Sequence, residues 1–232
     1  MLVVVASAVD SDAAALLPHF RRLEPLLLTP ADLSRSGWRV LTERPCEGSF
    51  AASGRQRDIR EIEGVLTLLP AVFSQELLAI EASARVYAAQ EMTAFLRYFL
   101  KSLHCPVLNA PTDGSLCGPM WRPERWLQVA ASCGLPTDVW HRRTKNLGVD
   151  QDYKECIQVT LIGEHAIGDA DADLQRKTKA LARAASVGML SARYRQTAEG
   201  PMFCAAEACP HLSGAASARL VEEYMVARGA LV

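Results

Sequence analysis

Residues 60–70 read Arg-Glu-Ile-Glu-Gly-Val-Leu-Thr-Leu-Leu-Pro. A polar lead-in passes into a short, almost unbroken apolar run, and proline closes it. A strand with one wet face alternates apolar and polar side chains, because successive side chains point to opposite faces. Gly64–Leu69 lacks that alternation, which suits a strand covered on both sides in a parallel sheet. The chain begins with a run of the same kind, Leu-Val-Val-Val-Ala at 2–6. Asp10-Ser-Asp follows it and offers N-caps to a helix near Ala13–Leu23, which Pro18 bends or divides. A short helix near Ala31–Arg35, a second strand at Trp38–Leu41 and a short helix at Ser74–Ile80 complete the surroundings.

The clearest helix is predicted over Ala84–Leu103. Met92, Phe95, Leu96, Phe99, Leu100 and Leu103 recur at steps of three and four, which places them on one face. His104–Asn109 reads as a short strand and Thr112-Asp-Gly-Ser as a turn. Pro123 starts a helix that runs to about Ser132 and ends at Gly134. Strand and helix alternate up to this point, which argues an α/β sheet with crossover helices. Beyond about residue 138 the pattern changes. His141–Asn146 is polar and reads as a linker or exposed strand. Glu155–Ile162 alternates, with Ile157, Val159 and Leu161 on one side. A helix at Asp169–Ala185, strands at Met189–Arg195 and Met202–Glu207, and a helix at Ala215–Ala227 give an α+β second part.

The 232 residues are 50% hydrophobic and 22% charged, so most of the chain has the composition of a packed core. Lys and Arg number 25 against 26 Asp and Glu, and this balance gives no global basic field for nucleic acid or anionic lipid. No apolar run has the length of a membrane span. Asp10 and Asp12 cut the apolar start short, which argues against a signal peptide. The seven cysteines are irregularly spaced and include no CxxC, so reduced thiols in a cytoplasmic protein are expected.

Four segments carry a family likeness: Arg60–Pro70 with Glu76-Leu-Leu; Tyr87-Ala-Ala-Gln-Glu-Met-Thr-Ala-Phe-Leu; Cys105-Pro-Val-Leu-Asn-Ala-Pro; and Trp121-Arg-Pro-Glu-Arg-Trp with Gly134-Leu-Pro. Together they resemble the N-terminal pre-ATP-grasp domain of the ATP-grasp ligases that modify ribosomal protein and cyclise peptides. The resemblance implies a Rossmann-like α/β domain over residues 1–137. Val159–Gly168 and Met202–Leu212 are similar to the last part of the same fold. They imply a small α+β portion, a shortened ATP-grasp subdomain, over 138–232. The family clamps ATP between two α+β subdomains, with lysines on the phosphates and carboxylates and an asparagine on magnesium. The interval from Pro123 to Pro210 is short for such a clamp. It has no glycine-rich phosphate loop, and only Lys145 and Lys154 stand in the stretch where the phosphate lysines would lie. The family's Glu-x-Asn before a proline is replaced by Ala205 and Glu207 before Pro210, and alanine offers no side-chain oxygen. ATP and magnesium are therefore not expected to bind in the family's way.

Several residues invite a chemical reading. Cys204, Cys209 and His211, with Glu207 and His165, could bind metal, but the spacing departs from zinc patterns and buried structural thiols are the plainer reading. Cys209 and His211 could also act as nucleophile and base. Asn109 and Asp113 stand at the end of a parallel strand, where open α/β sheets take ligands, or in an ordinary turn. Trp121, Arg122, Arg125 and Trp126 form either a protein-interaction hot spot or an internal cation–π cluster. Arg55, Arg57 and Arg60 read as a basic loop able to hold an acidic peptide or phosphate. Glu91 reads as a solvated or structural residue of the long helix, with pairing to Arg97 or Arg85 as the alternative.

The function expected is that of a pseudo-enzyme, a binding or scaffolding protein that recognises a peptide or partner protein in a peptide-modification or natural-product pathway. A homodimer through the first domain is expected by analogy with the family. One alternative is an enzyme with a rebuilt, metal- or Cys/His-based site in the cleft. Another is one part of a split carboxylate–amine ligase.

Overall fold

The computed structural model describes residues 1–137 and 156–229. In chain order the elements are β1 (Leu2–Val5), α1 (Ser11–Leu16), β2 (Pro25–Leu28), α2 (Pro30–Leu33), β3 (Arg39–Leu41), β4 (Arg44–Ala52), β5 (Arg55–Asp58), β6 (Gly64–Thr67), α3 (Arg85–Ser102), β7 (Val107–Leu108), α4 (Pro123–Ser132), β8 (Cys156–Ile162), β9 (His165–Ile167), α5 (Ala172–Ala184), β10 (Met189–Thr197), β11 (Gly200–Glu207) and α6 (Gly214–Gly229). They pack as two units. One is Met1–Pro119 joined by the segment from His211 on; the other is Met120–Pro210. This division differs from the expected one at 137/138, because α4 packs with the later strands and α6 with the first unit.

The first unit is built on a parallel sheet in the order β2-β1-β6-β7. Val3 lies level with Leu26 on one side and Val65 on the other, and every residue of β1 and β6 is buried. The unbroken apolar runs thus mark its two central strands. The second parallel strand is Pro25–Leu28 rather than Trp38–Leu41. Helix α1 stops at Leu16, a 3-10 turn holds Pro18, and the chain returns to the sheet sooner than a helix to Leu23 would allow. Asp10 is the N-cap, accepting from the backbone N–H of Asp12 and Ala13.

Trp38–Leu41 feeds a separate antiparallel sheet, β3-β4-β5. Arg55–Asp58, read above as a loop, is its edge strand β5. Ser53 and Gly54, both at positive φ (50° and 73°), make the two-residue turn between β4 and β5. Such a turn matches the twist of paired strands. Gly48 has φ +138°, and a Cβ there would lie 2.0 Å from the Arg39 carbonyl oxygen. Only glycine fits that close approach.

Helix α3 lays Ala89, Leu96, Phe99 and Leu100 into the core. Trp38, just before β3, meets Phe95 and Phe99 edge-on, with ring centroids 5.1 and 5.4 Å away, which fastens the antiparallel sheet to this helix. Helix α6 packs on α1 and β6 in the same unit.

The second unit is a four-stranded antiparallel sheet, β11-β10-β8-β9. Val159, Leu161, Leu190, Ala192, Tyr194 and Phe203 cluster with Trp126, Val129, Leu174 and Leu181 of α4 and α5. Val159 and Leu161 of β8 join this core with Ile157 at its margin, but Thr160 and Ile162 on the other face are buried too, so the strand is not half-buried. Helix α4 begins at Pro123 and closes through Gly134 at φ +76°, as its sequence predicts. The polar stretch 141–146, Lys145 and Lys154 lie outside the described residues.

Candidate functional site

Asn109 follows β7 and is 2% exposed. Beyond it, the Thr112 N–H donates to the Ser115 carbonyl at 2.8 Å and the Thr112 hydroxyl to the Gly118 carbonyl at 3.1 Å. Asp113 projects into solvent, 3.7 Å from Lys101. Asn109 and Asp113 therefore differ in environment: one is buried at the strand end and the other is on the surface of a hydrogen-bonded turn. Nearby, the Ser7 hydroxyl after β1 donates to Glu76 at 2.7 Å, and the buried Thr67 hydroxyl has no hydrogen-bond partner.

In the second unit Trp121 and Trp126 meet at 4.7 Å between ring centroids, and the Arg125 guanidinium lies 5.4 Å from the Trp121 ring. Arg125 also donates to Gln128 at 2.9 Å. Trp121, Trp126 and Arg125 form a cation–π group, with Trp126 in the core, and Arg122 is exposed.

Among the described residues, no group of three or more His, Cys, Asp or Glu side chains could hold a metal ion. Cys204 occupies the extra position of a β-bulge: Phe203 pairs with Tyr194 and Ala205 with Arg193. Its thiol reaches the Met202 carbonyl at 3.6 Å. Cys209 is half-buried after β11, and His165 is exposed on β9. His211 belongs to the first unit, where its Nδ1 lies 2.5 Å from Asp12 at the start of α1.

The strand register gathers a polar cluster on the sheet face opposite α4 and α5. Thr160, Ser191 and Glu207 stand level across β8, β10 and β11, and Gln158, Arg193 and Ala205 form the next row. The Gln158 amide donates to the Ser191 hydroxyl at 3.0 Å, and Thr160 lies 3.3 Å from the same oxygen. Ser191 is 1% exposed. The two rows together hold two hydroxyls, an amide, a guanidinium and a single carboxylate. The sequence pattern singled out Glu207 alone, because Ser191 and Thr160 join it only through register.

A second surface belongs to the first unit. A groove of about 520 Å³ runs between α3 and the segment before it, lined by Val72, Phe73, Val86, Gln90, Ala94 and Arg97. The Val72 N–H donates to the Thr93 hydroxyl at 3.0 Å and fixes one wall to the helix. Phe73 is 47% exposed and Val86 62%, with Leu78, Tyr87 and Tyr98 also exposed. The Arg97 Nε is buried without a hydrogen-bond partner. Glu91 does not pair with it, and Arg85 donates instead to the carbonyls of Ile80 and Leu78. The sequence signal for this groove was available: Val86 and Tyr87 fall outside the apolar stripe of α3. Arg57, on β5 and half-buried, likewise has a buried Nε without a hydrogen-bond partner.

No family model matches the sequence, and no curated protein sequence does. Solved structures match in fold. The macrocyclase MdnC from Microcystis aeruginosa MRC, bound with the precursor peptide MdnA, has a TM-score of 0.69 at 10% identity, over 98% of this chain and 99% of that one. A RiPP-associated ATP-grasp ligase from Chryseobacterium gregarium, in complex with ADP and a leader and core peptide, gives 0.70 at 9% identity, over 97% and 96%. The ATP-grasp ligase PsnB, complexed with a phosphomimetic variant of its minimal precursor, Mg and ADP, gives 0.68 at 12% identity, over 96% and 98%. Over nearly its whole length, this chain has an ATP-grasp ligase-like fold.

Proposed function

We propose that this protein is a pseudo-enzyme of a peptide-modification pathway, an ATP-grasp-like binding or scaffolding protein that recognises a peptide or partner protein through its first unit. The observation that carries the reading is the groove beside α3. Two of the exposed large apolar side chains, Phe73 and Val86, line it, and Leu78 and Tyr87 are exposed close by in sequence. Exposed apolar surface of this kind marks interaction sites. Arg97 lines the groove and brings positive charge to it, suited to a carboxylate of the partner. The solved neighbours bound to precursor or leader peptides support the peptide half of the reading.

The pseudo-enzyme half draws on the polar cluster of the second unit. Magnesium on a nucleotide takes hard oxygen ligands and favours carboxylates. Glu207 is the one carboxylate there, Ala205 offers no oxygen, and Arg193 brings positive charge to the same face. This donor set does not fit a magnesium–phosphate centre of the family's kind. Among the described residues, the stretch from Pro123 to Pro210 forms one sheet with two helices. The homodimer expected for the first unit belongs to the same proposal, and sedimentation equilibrium tests it.

Calorimetry with Mg–ATP is expected to give no binding heat; micromolar binding would overturn the pseudo-enzyme half. Short peptides encoded beside the gene, fluorescently labelled, are expected to bind saturably in anisotropy titrations. Phe73→Asp and Arg97→Gln are each expected to weaken binding about tenfold, roughly 1.4 kcal/mol, with an unchanged melting curve. Full affinity in both variants would remove the groove from the reading.

A further inference from the structure

A second cavity, of about 570 Å³, opens at the opposite end of the parallel sheet, where β6 and β7 begin. Its walls include Leu23, Ile62, Leu103, Cys105, Met225 and Val226. All of these belong to the first unit, and none lines the groove beside α3. The volume lies within the range of small-molecule sites. Thioether and thiol groups on the wall adapt readily to an apolar guest.

The charges around this cavity are already satisfied. Arg60 grips the Asp58 carboxylate through Nε at 3.0 Å and Nη2 at 2.6 Å. Glu63 lies 2.6 Å from the N-terminal ammonium of Met1. Burial pushes the Cys105 thiol up to about 11, so it stays neutral at physiological pH. The Cys46 thiol lies 3.5 Å from the Ser102 carbonyl oxygen, as its donor. His104 remains, exposed at the rim. A charged guest would have to break an existing ion pair or give up its hydration without a counter-charge, a penalty that an uncharged apolar guest does not meet.

We propose that this cavity is a binding site for an uncharged, predominantly apolar small molecule. The probe is N-phenyl-1-naphthylamine, neutral at pH 7, whose fluorescence rises in apolar surroundings, titrated into the full chain. Saturable binding at a single site is expected. Decanol is expected to displace the probe at least about tenfold more effectively than decanoate, because only the latter carries a charge. Val226 is 49% exposed, so Val226→Trp should narrow the mouth without disturbing the core. It is expected to lower probe affinity about tenfold. As an independent readout, bound probe is expected to slow alkylation of Cys46 by N-ethylmaleimide several-fold, read by peptide mass mapping. The proposal fails if binding does not saturate, if decanoate competes as well as decanol, or if Val226→Trp binds normally and Cys46 is unprotected. It also fails if removing residues 230–232 raises probe affinity about tenfold, which would make the chain's own end the occupant.

Discussion

Tyr194 shows how a single hydroxyl is placed by its neighbours. It lies at 0% exposure on β10, with its hydroxyl 2.6 Å from that of Thr178 on α5. Thr178 has one proton and donates it to the Leu174 carbonyl at 2.7 Å. The proton between the two hydroxyls therefore comes from the tyrosine. Thr178→Val removes the acceptor and strands a buried phenol, at an expected cost of about 1–3 kcal/mol in urea unfolding. Tyr194→Phe removes donor and demand together and should cost less, with the double variant close to it. Burial pushes the Tyr194 phenol up to about 12, above its ordinary 10.0. The folded protein then holds a proton that the unfolded chain releases above pH 10. The stability from this group is complete below that pH and is lost as pH rises toward 12. Wild type should lose stability faster than Tyr194→Phe across this window, and parallel unfolding curves for the two would contradict the assignment. The strand that carries Tyr194 was legible in sequence. Its partner was not, because Thr178 meets it only once α5 lies on the sheet.

At the scale of elements, α6 is held by one buried carboxylate. Glu222 is 3% exposed and accepts from three consecutive backbone N–H groups, those of Arg21, Arg22 and Leu23, at 2.8, 2.6 and 3.0 Å. These residues lead directly into β2, so the helix fixes where that strand starts. Glu222→Ala would leave three donors without their acceptor and is expected to cost about 3 kcal/mol or more, measured by the denaturant midpoint. Glu222→Gln keeps an oxygen and should cost less. The elements with strong local signals, β1, β6, α3, α4 and β8, were legible from apolar runs, periodicity and caps. β2 was missed because its short Pro-Leu-Leu-Leu sequence fits a helix tail as well as a strand. β4 and β5 were missed because Gly48 argues against a strand taken alone; the close approach of Arg39 that requires this glycine exists only in the assembled sheet.

At the scale of the molecule, the first unit is discontinuous in sequence. A chain ending at Pro119 lacks α6 and the Glu222 clasp, so it is expected to melt less cooperatively and at lower temperature in circular dichroism. A peptide covering His211–Gly229 should restore part of that loss when added in trans. A fragment with the full-length melting transition would show that α6 is dispensable to this unit. Local patterning determined from sequence alone that the chain is α/β followed by α+β, because burial on two faces, on one face or on a helical stripe each leaves its own period. The resemblance to the ATP-grasp ligases rested on particular segments such as Arg60–Pro70. It also exposed the altered positions Ala205 and Glu207. Tertiary structure decided which residues share a surface. It set Thr160 and Ser191 beside Glu207, paired His211 with Asp12, left the Arg97 Nε without a partner and joined the last helix to the first strands. Such neighbours lie far apart in the chain and meet only through strand register and helix docking, and a local pattern contains neither.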